Sequence, residues 1–198
     1  MNVHNDFAPY TVPFNENASF RIAVSGLSMD VNDSISQACL DVAMNGSTYS
    51  CEFLVLVNTK TGDWEYQEKG TAVSVGGEGF WSFVSETPNK YAFVHNHSSG
   101  KMFSFEDLQT FLTTDSIDVL VASGHNGIVY IAQGKQRRIN NGLLDIDLMI
   151  ECDQMLEPHK KALNDKLLED LDYLRIRRDI YYEYVYKNYI ESFVEVQT

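Results

Sequence analysis

The sequence predicts a mixed α/β fold, a mixed sheet flanked by helices over residues 20–140, followed by a helical extension over 141–198. Two observations carry this expectation. Short β-rich runs alternate with helix-spaced segments as far as Gly134. After Gly142 the texture changes: glycines become scarce, strand alternation disappears, and leucines and tyrosines recur at helical spacing.

The opening residues, 1–19, are polar, contain two prolines, and read as a loose N-terminal arm. Phe20, Ile22 and Val24 alternate with polar or small residues and predict a short strand. From Ser28-Met29-Asp30 the residues Ile35, Cys39, Leu40, Val42 and Ala43 share one helical face, and Asn45-Gly46 reads as its stop.

The run from Cys51 through Glu52-Phe53-Leu54-Val55-Leu56-Val57 is β-rich and ends in the turn cluster Asn58 to Gly62. Trp64 and Tyr66 then supply the return strand of a hairpin. Gly76-Gly77-Glu78-Gly79 interrupts the chain before a short helix around Phe80 to Val84. That glycine run lacks the Lys-Ser/Thr of a phosphate loop, so it reads as a plain loop. Tyr91-Ala92-Phe93-Val94 predicts a buried strand that runs into His95-Asn96-His97.

Beyond the turn Ser98-Ser99-Gly100, the residues Phe105, Leu108, Phe111 and Leu112 keep helical spacing. Ile117 to Ala122 and Ile128 to Ile131 flank His125-Asn126-Gly127, a hairpin signal in which His125 reads as a solvated turn residue. In the extension, Leu163, Leu167, Leu171, Leu174, Tyr181, Val185 and Tyr189 form one stripe of a long helix. That stripe either packs on its own domain, the favoured reading, or serves as a seam for a partner or a second copy.

Composition narrows the function classes. A formal net charge of -13 repels phosphate backbones, which excludes nucleic acid as the default partner. No stretch approaches the roughly 18–20 apolar residues that span a bilayer, so no membrane partner is expected. The start MNVHNDFAPYTVPF lacks the basic segment and apolar run of a signal peptide, and a cytoplasmic protein is expected. The three cysteines, Cys39, Cys51 and Cys152, are scattered without a CxxC pair and read as small core residues, not as a disulfide framework or a cysteine metal site.

The chemistry concentrates in one stretch. His95 and His97 are two apart on a strand, so both imidazoles point to one face about 6–7 Å apart and can converge on one ion. Ser104-x-x-Asp107 is a helix capping box, and the same geometry lets a first-turn carboxylate reach a metal held by the histidines. Glu52 opens an otherwise apolar run, so it must be paired, exposed or functional.

Together these residues resemble the JAB/MPN metalloenzymes and their JAMM motif: an upstream Glu, then His-x-His-Pro, a short spacer and Ser-x-x-Asp. Here Glu52, His95-Asn96-His97-Ser98-Ser99-Gly100 and Ser104-Phe105-Glu106-Asp107 take those places. The resemblance covers about Ile35 to Ala132 and is nearest to the bacterial and phage branches. Ser98 stands where the family usually has proline, and the spacer is one residue shorter than in the eukaryotic deubiquitinases.

The resemblance implies a layered, cytidine-deaminase-like mixed sheet and a zinc ion held by His95, His97 and Asp107, with a fourth position open to water. It implies Glu52 as the proton carrier and Ser104 as a donor to the developing oxyanion. The expected function is zinc-dependent hydrolysis of an amide or isopeptide bond in a protein or peptide, a ubiquitin-like conjugate being one such substrate. The alternative is a non-catalytic interaction module of the same fold.

Overall fold

The computed structural model describes residues 12–72, 74–136 and 143–198. Residues 1–11 of the expected arm and the junction 137–142 lie outside them. The fold is mixed α/β, and the chain divides into two compact units, Met1–Gln133 with Ser192–Thr198, and Gly134–Glu191.

In the first unit, α1 (Met29–Tyr49) leads into the hairpin of β1 (Phe53–Asn58) and β2 (Trp64–Lys69). Then follow α2 (Glu78–Glu86), β3 (Tyr91–His97), α3 (Phe105–Thr113) and a second hairpin of β4 (Ile117–Gly124) and β5 (Ile128–Lys135). The second unit contains α4 (Leu143–Asn164) and α5 (Asp170–Tyr189), which pack on each other. The chain ends in β6 (Ile190–Gln197), and the sheet order is β2-β1-β3-β4-β5-β6. Among the described residues, no helix is long and apolar enough to cross a membrane.

Two sheet pairings position the site. β1 runs antiparallel to β3 with Leu54 opposite His95, and β3 runs parallel to β4 with His97 opposite Gly124. A parallel pair needs a crossover, here α3, so the helix must start just beyond the carboxyl end of β3. The crevice at such strand ends is where open α/β sheets take ligands.

Residue alternation divides the sheet into two faces. One face, with Val55, Val57, Ala92, Val94, Val119 and Val121, packs on Ile35, Ala38, Cys39, Val42 and Ala43 of α1 in a single buried cluster. The opposite face carries Leu54, Leu56, Phe93, His95 and His97, and Phe80 of α2 meets Phe93 edge-on, 5.3 Å between ring centroids. His95 and His97 therefore face away from α1, and Asn96 faces it.

Four expectations are corrected. Phe20, Ile22 and Val24 are buried in alternation, yet they form no strand. Their backbone is tied to side chains of α1 instead: the Ile22 amide donates to Ser36 Oγ at 3.0 Å and the Val24 amide to Asn32 Oδ1 at 2.8 Å. Helix α1 does not stop at Asn45-Gly46 but runs on to Tyr49, closing at Ser50 in the left-handed region at φ 54. The single long helix of the extension is two, broken where Lys166 takes φ 58, and the stripe breaks with it: Leu167 is 80% exposed while Val185 and Tyr189 are fully buried. The final residues, expected as helix, are the strand β6, in which Phe193 stacks on Tyr130 with ring centroids 6.4 Å apart.

Residues 12–19 of the arm are tied to the loops around the carboxyl end of β3. The Val12 amide donates to Ser98 O at 2.9 Å and the Asn15 amide to His125 O at 2.8 Å.

Candidate metal centre

The last two outward positions of β3 bring His95 and His97 to the start of α3. His95 is fully buried and His97 is 9% exposed. Their Nε2 atoms lie 3.0 Å apart. The Asp107 carboxylate completes the group, with Oδ1 3.3 Å from His95 Nε2 and Oδ2 3.2 Å from His97 Nε2.

The capping box is also formed. The Ser104 amide donates to Asp107 Oδ2 at 2.6 Å, and the Asp107 amide donates to Ser104 Oγ at 3.1 Å. The cap locks the carboxylate on the β3 side of the first helical turn, so helix capping and convergence on the histidines are one arrangement.

Three donors this close suit a shared cation. The two imidazole nitrogens lie 3.0 Å apart, and each faces a different oxygen of the Asp107 carboxylate, at 3.3 and 3.2 Å. His95, His97 and Asp107 can together hold a metal ion. His97 has the outer partner that such a ligand needs: its Nδ1 donates to the Lys101 carbonyl at 2.9 Å, leaving Nε2 with its lone pair toward the group. Among the described residues His95 Nδ1 has no hydrogen-bond partner.

Charge follows the same geometry. Burial pulls the His97 pKa down, but the Asp107 hydrogen bond and the charges of Asp107 and Glu52 outweigh it and raise the value to about 9. Burial pushes Asp107 up, and the two imidazoles overcome it, holding the carboxyl well below its ordinary value.

Glu52 lies one residue before β1. Because Leu54 pairs with His95, the alternation of a strand puts the Glu52 side chain on the face of His95 and His97. Burial raises its pKa; the histidines lower it, and Asp107 raises it further. Its backbone is bonded on the β2 side, amide to Thr71 O at 2.7 Å and carbonyl from the Gly70 amide at 2.8 Å.

Glu52, His97, Ser104 and Asp107 open on a cleft of about 180 Å³ whose wall also includes Val75, Gly76, Phe80, Trp81 and Phe93. Glu68 holds that wall in place, accepting the Gly76 and Gly77 amides at 3.2 and 2.8 Å. No family model, curated protein or solved structure matches this chain.

Two residues here were not singled out from the sequence. Glu68 offered no signal beyond a charge on an amphipathic strand. Asn96 did: a side-chain amide at an inward position of a buried strand must find partners. It is fully buried, and its Oδ1 accepts the Phe53 amide at 2.6 Å. Its Nδ2 donates to Cys51 O at 3.3 Å and lies 3.3 Å from His125 Nε2.

His125 is accordingly corrected. It is 2% exposed, a buried partner of Asn96 and not a solvated turn residue. The cysteines are all free and buried. Burial pushes the Cys39 thiol well up, so it offers no nucleophile at neutral pH.

Proposed function

We propose that this chain is a zinc-dependent hydrolase of the JAMM type, acting on an amide or isopeptide bond of a protein or peptide. The observation that carries the reading is the packing of His95 Nε2, His97 Nε2 and an Asp107 oxygen within 4.8 Å of one another, with Glu52 lining the same cleft as His97 and Asp107. Two histidines and one carboxylate leave a tetrahedral ion with one open position, the pattern of catalytic rather than structural zinc.

Bound zinc would supply Lewis acidity and lower the pKa of water towards about 7. The chain's own residues supply the remaining chemistry. Glu52, its pKa raised by burial, accepts a proton from attacking water and returns it to the leaving amine. The Ser104 oxygen is already occupied by the Asp107 amide, so its hydroxyl proton remains available to donate to a developing oxyanion. Phe80, Trp81 and Phe93 give the cleft an apolar wall that limits water around the scissile bond.

The test is metal content and cleavage together. Glu52→Gln should retain stoichiometric zinc and lose hydrolysis of protein or isopeptide-linked substrates. A wild-type protein that holds no stoichiometric metal, and gains no thermal stability from zinc, would instead be a non-catalytic interaction module.

A further inference from the structure

We propose that Asn96, the residue between the two histidines, is a positioning residue that sets the place of Glu52 over the metal centre. The inference rests on the hydrolase reading above. The backbone groups around Glu52 divide between the two neighbouring strands. The Glu52 amide and carbonyl are bonded to Thr71 and Gly70, on the β2 side. The flanking groups that point the other way, toward β3, are the Phe53 amide and the Cys51 carbonyl. Both are taken by the single side-chain amide of Asn96.

The amide thus acts as an extra rung where the β1–β3 ladder has ended, and it brackets Glu52 from both sides in sequence. The flip state of the amide follows from its partners. The Phe53 amide can only donate, so the atom it meets is the oxygen, and the nitrogen is left for the Cys51 carbonyl and His125 Nε2. Both Nδ2 hydrogens are then used. Because Asn96 belongs to the same three residues of β3 as the ligands, it ties the backbone of Glu52 to the strand end that carries His95 and His97.

A small residue on the facing helix makes room for it. A Cβ added at Gly46 of α1 would lie 2.1 Å from Asn96 Nδ2 and 2.6 Å from its Cγ. Gly46 is therefore inside a helix for a tertiary reason: any side chain there displaces the amide.

The experiment compares wild type, Asn96→Ala and Gly46→Ala, each with and without zinc. All three should bind one zinc, since no ligand is changed. Amide exchange at Phe53 should accelerate at least about tenfold in both variants, also in the metal-free protein, while exchange at Leu56 and Val94 stays slow. Turnover of a panel of isopeptide-linked and linear fluorogenic peptides should fall about 10- to 100-fold in kcat with little change in KM, the scale of a misplaced catalytic group.

Faster Phe53 exchange with undiminished kcat would overturn the positioning role, and so would unchanged exchange. A wild type that binds zinc and cleaves nothing in the panel sinks the hydrolase reading and this role with it, a result distinct from either of the others. Gly46→Ala leaves every residue of the sheet in place, so it decides the matter if Asn96→Ala does not fold.

Discussion

Ser104 and Asp107 hold each other through two hydrogen bonds, the Ser104 amide to Asp107 Oδ2 at 2.6 Å and the Asp107 amide to Ser104 Oγ at 3.1 Å. The same carboxylate faces both imidazoles. Loss of the cap therefore reaches the candidate metal centre. Ser104→Ala should cost about 1 kcal/mol of stability in urea unfolding. It should also weaken zinc binding in a competitive chelator titration, because Asp107 loses half of what orients it. Unaltered zinc affinity in a destabilised variant would show that the cap and the ligand are independent.

Zinc should stabilise the fold by mass action. At a free concentration about 100 times Kd the gain is about 2.7 kcal/mol, which in a chain of this size raises Tm by roughly 5–10 °C. His97→Ala should abolish the shift, and a chelator should reverse it in wild type. Differential scanning fluorimetry across a zinc series reads all three.

The pH dependence of the metal-free protein has a definite sign. His97 is raised to about 9 in the folded state, so its stabilisation is complete below its unfolded pKa of about 6.5 and is lost as pH rises through about 9. Glu52 is also raised, and it too favours the folded state at lower pH. Asp107 is lowered, so its contribution is present above about pH 4 and lost on further acidification. Thermal melts of the chelator-treated protein should therefore show these residues' contribution falling between about pH 6.5 and 9. Zinc competes with the His97 proton, so apparent zinc affinity should rise over the same interval. An affinity flat from pH 6.5 to 9 would contradict this.

Residue Leu56 is fully buried at the centre of β1, on the histidine-bearing face of the sheet. Leu56→Ala should cost about 2–5 kcal/mol. Its zinc stoichiometry should be unchanged, since the centre is held from the strand end and not from mid-strand. Chemical denaturation and metal analysis of one sample test both parts.

Phe193 of β6 packs against Phe103, ring centroids 6.2 Å apart, and Phe103 immediately precedes the cap at Ser104. The Phe193→Ala variant should lose about 1–3 kcal/mol, less than a fully buried phenylalanine because the ring is only half-buried. A neutral result would mean that the last strand adds nothing to the fold.

Much of the centre was legible in the chain because its parts are local. The two-residue spacing of His95 and His97 means one face wherever a strand exists, and Ser104-x-x-Asp107 means a cap wherever a helix starts. The hairpin at Asn126-Gly127 and the helix before Asn45 were legible for the same reason. What failed depended on distant partners. Phe20 to Val24 has the alternation of a strand, but the ladder partner it would need is replaced by Ser36 and Asn32 of α1. Gly46 has the look of a helix stop, and its real constraint is Asn96 across the core. The strand character of Ile190–Gln197 was masked by the helix that runs directly into it.

By itself, then, the chain determined the alternating elements, the buried faces, and which side chains share a strand face or a helical turn, because short-range periodicity governs all of these. Only the tertiary structure decided that the end of β3, the first turn of α3 and the residue before β1 meet. That meeting depends on a parallel crossover and on an antiparallel register that pairs β1 with β3 across the intervening hairpin return and α2, as in Leu54 opposite His95. No local preference encodes such a register; it is selected by the packing of both sheet faces at once.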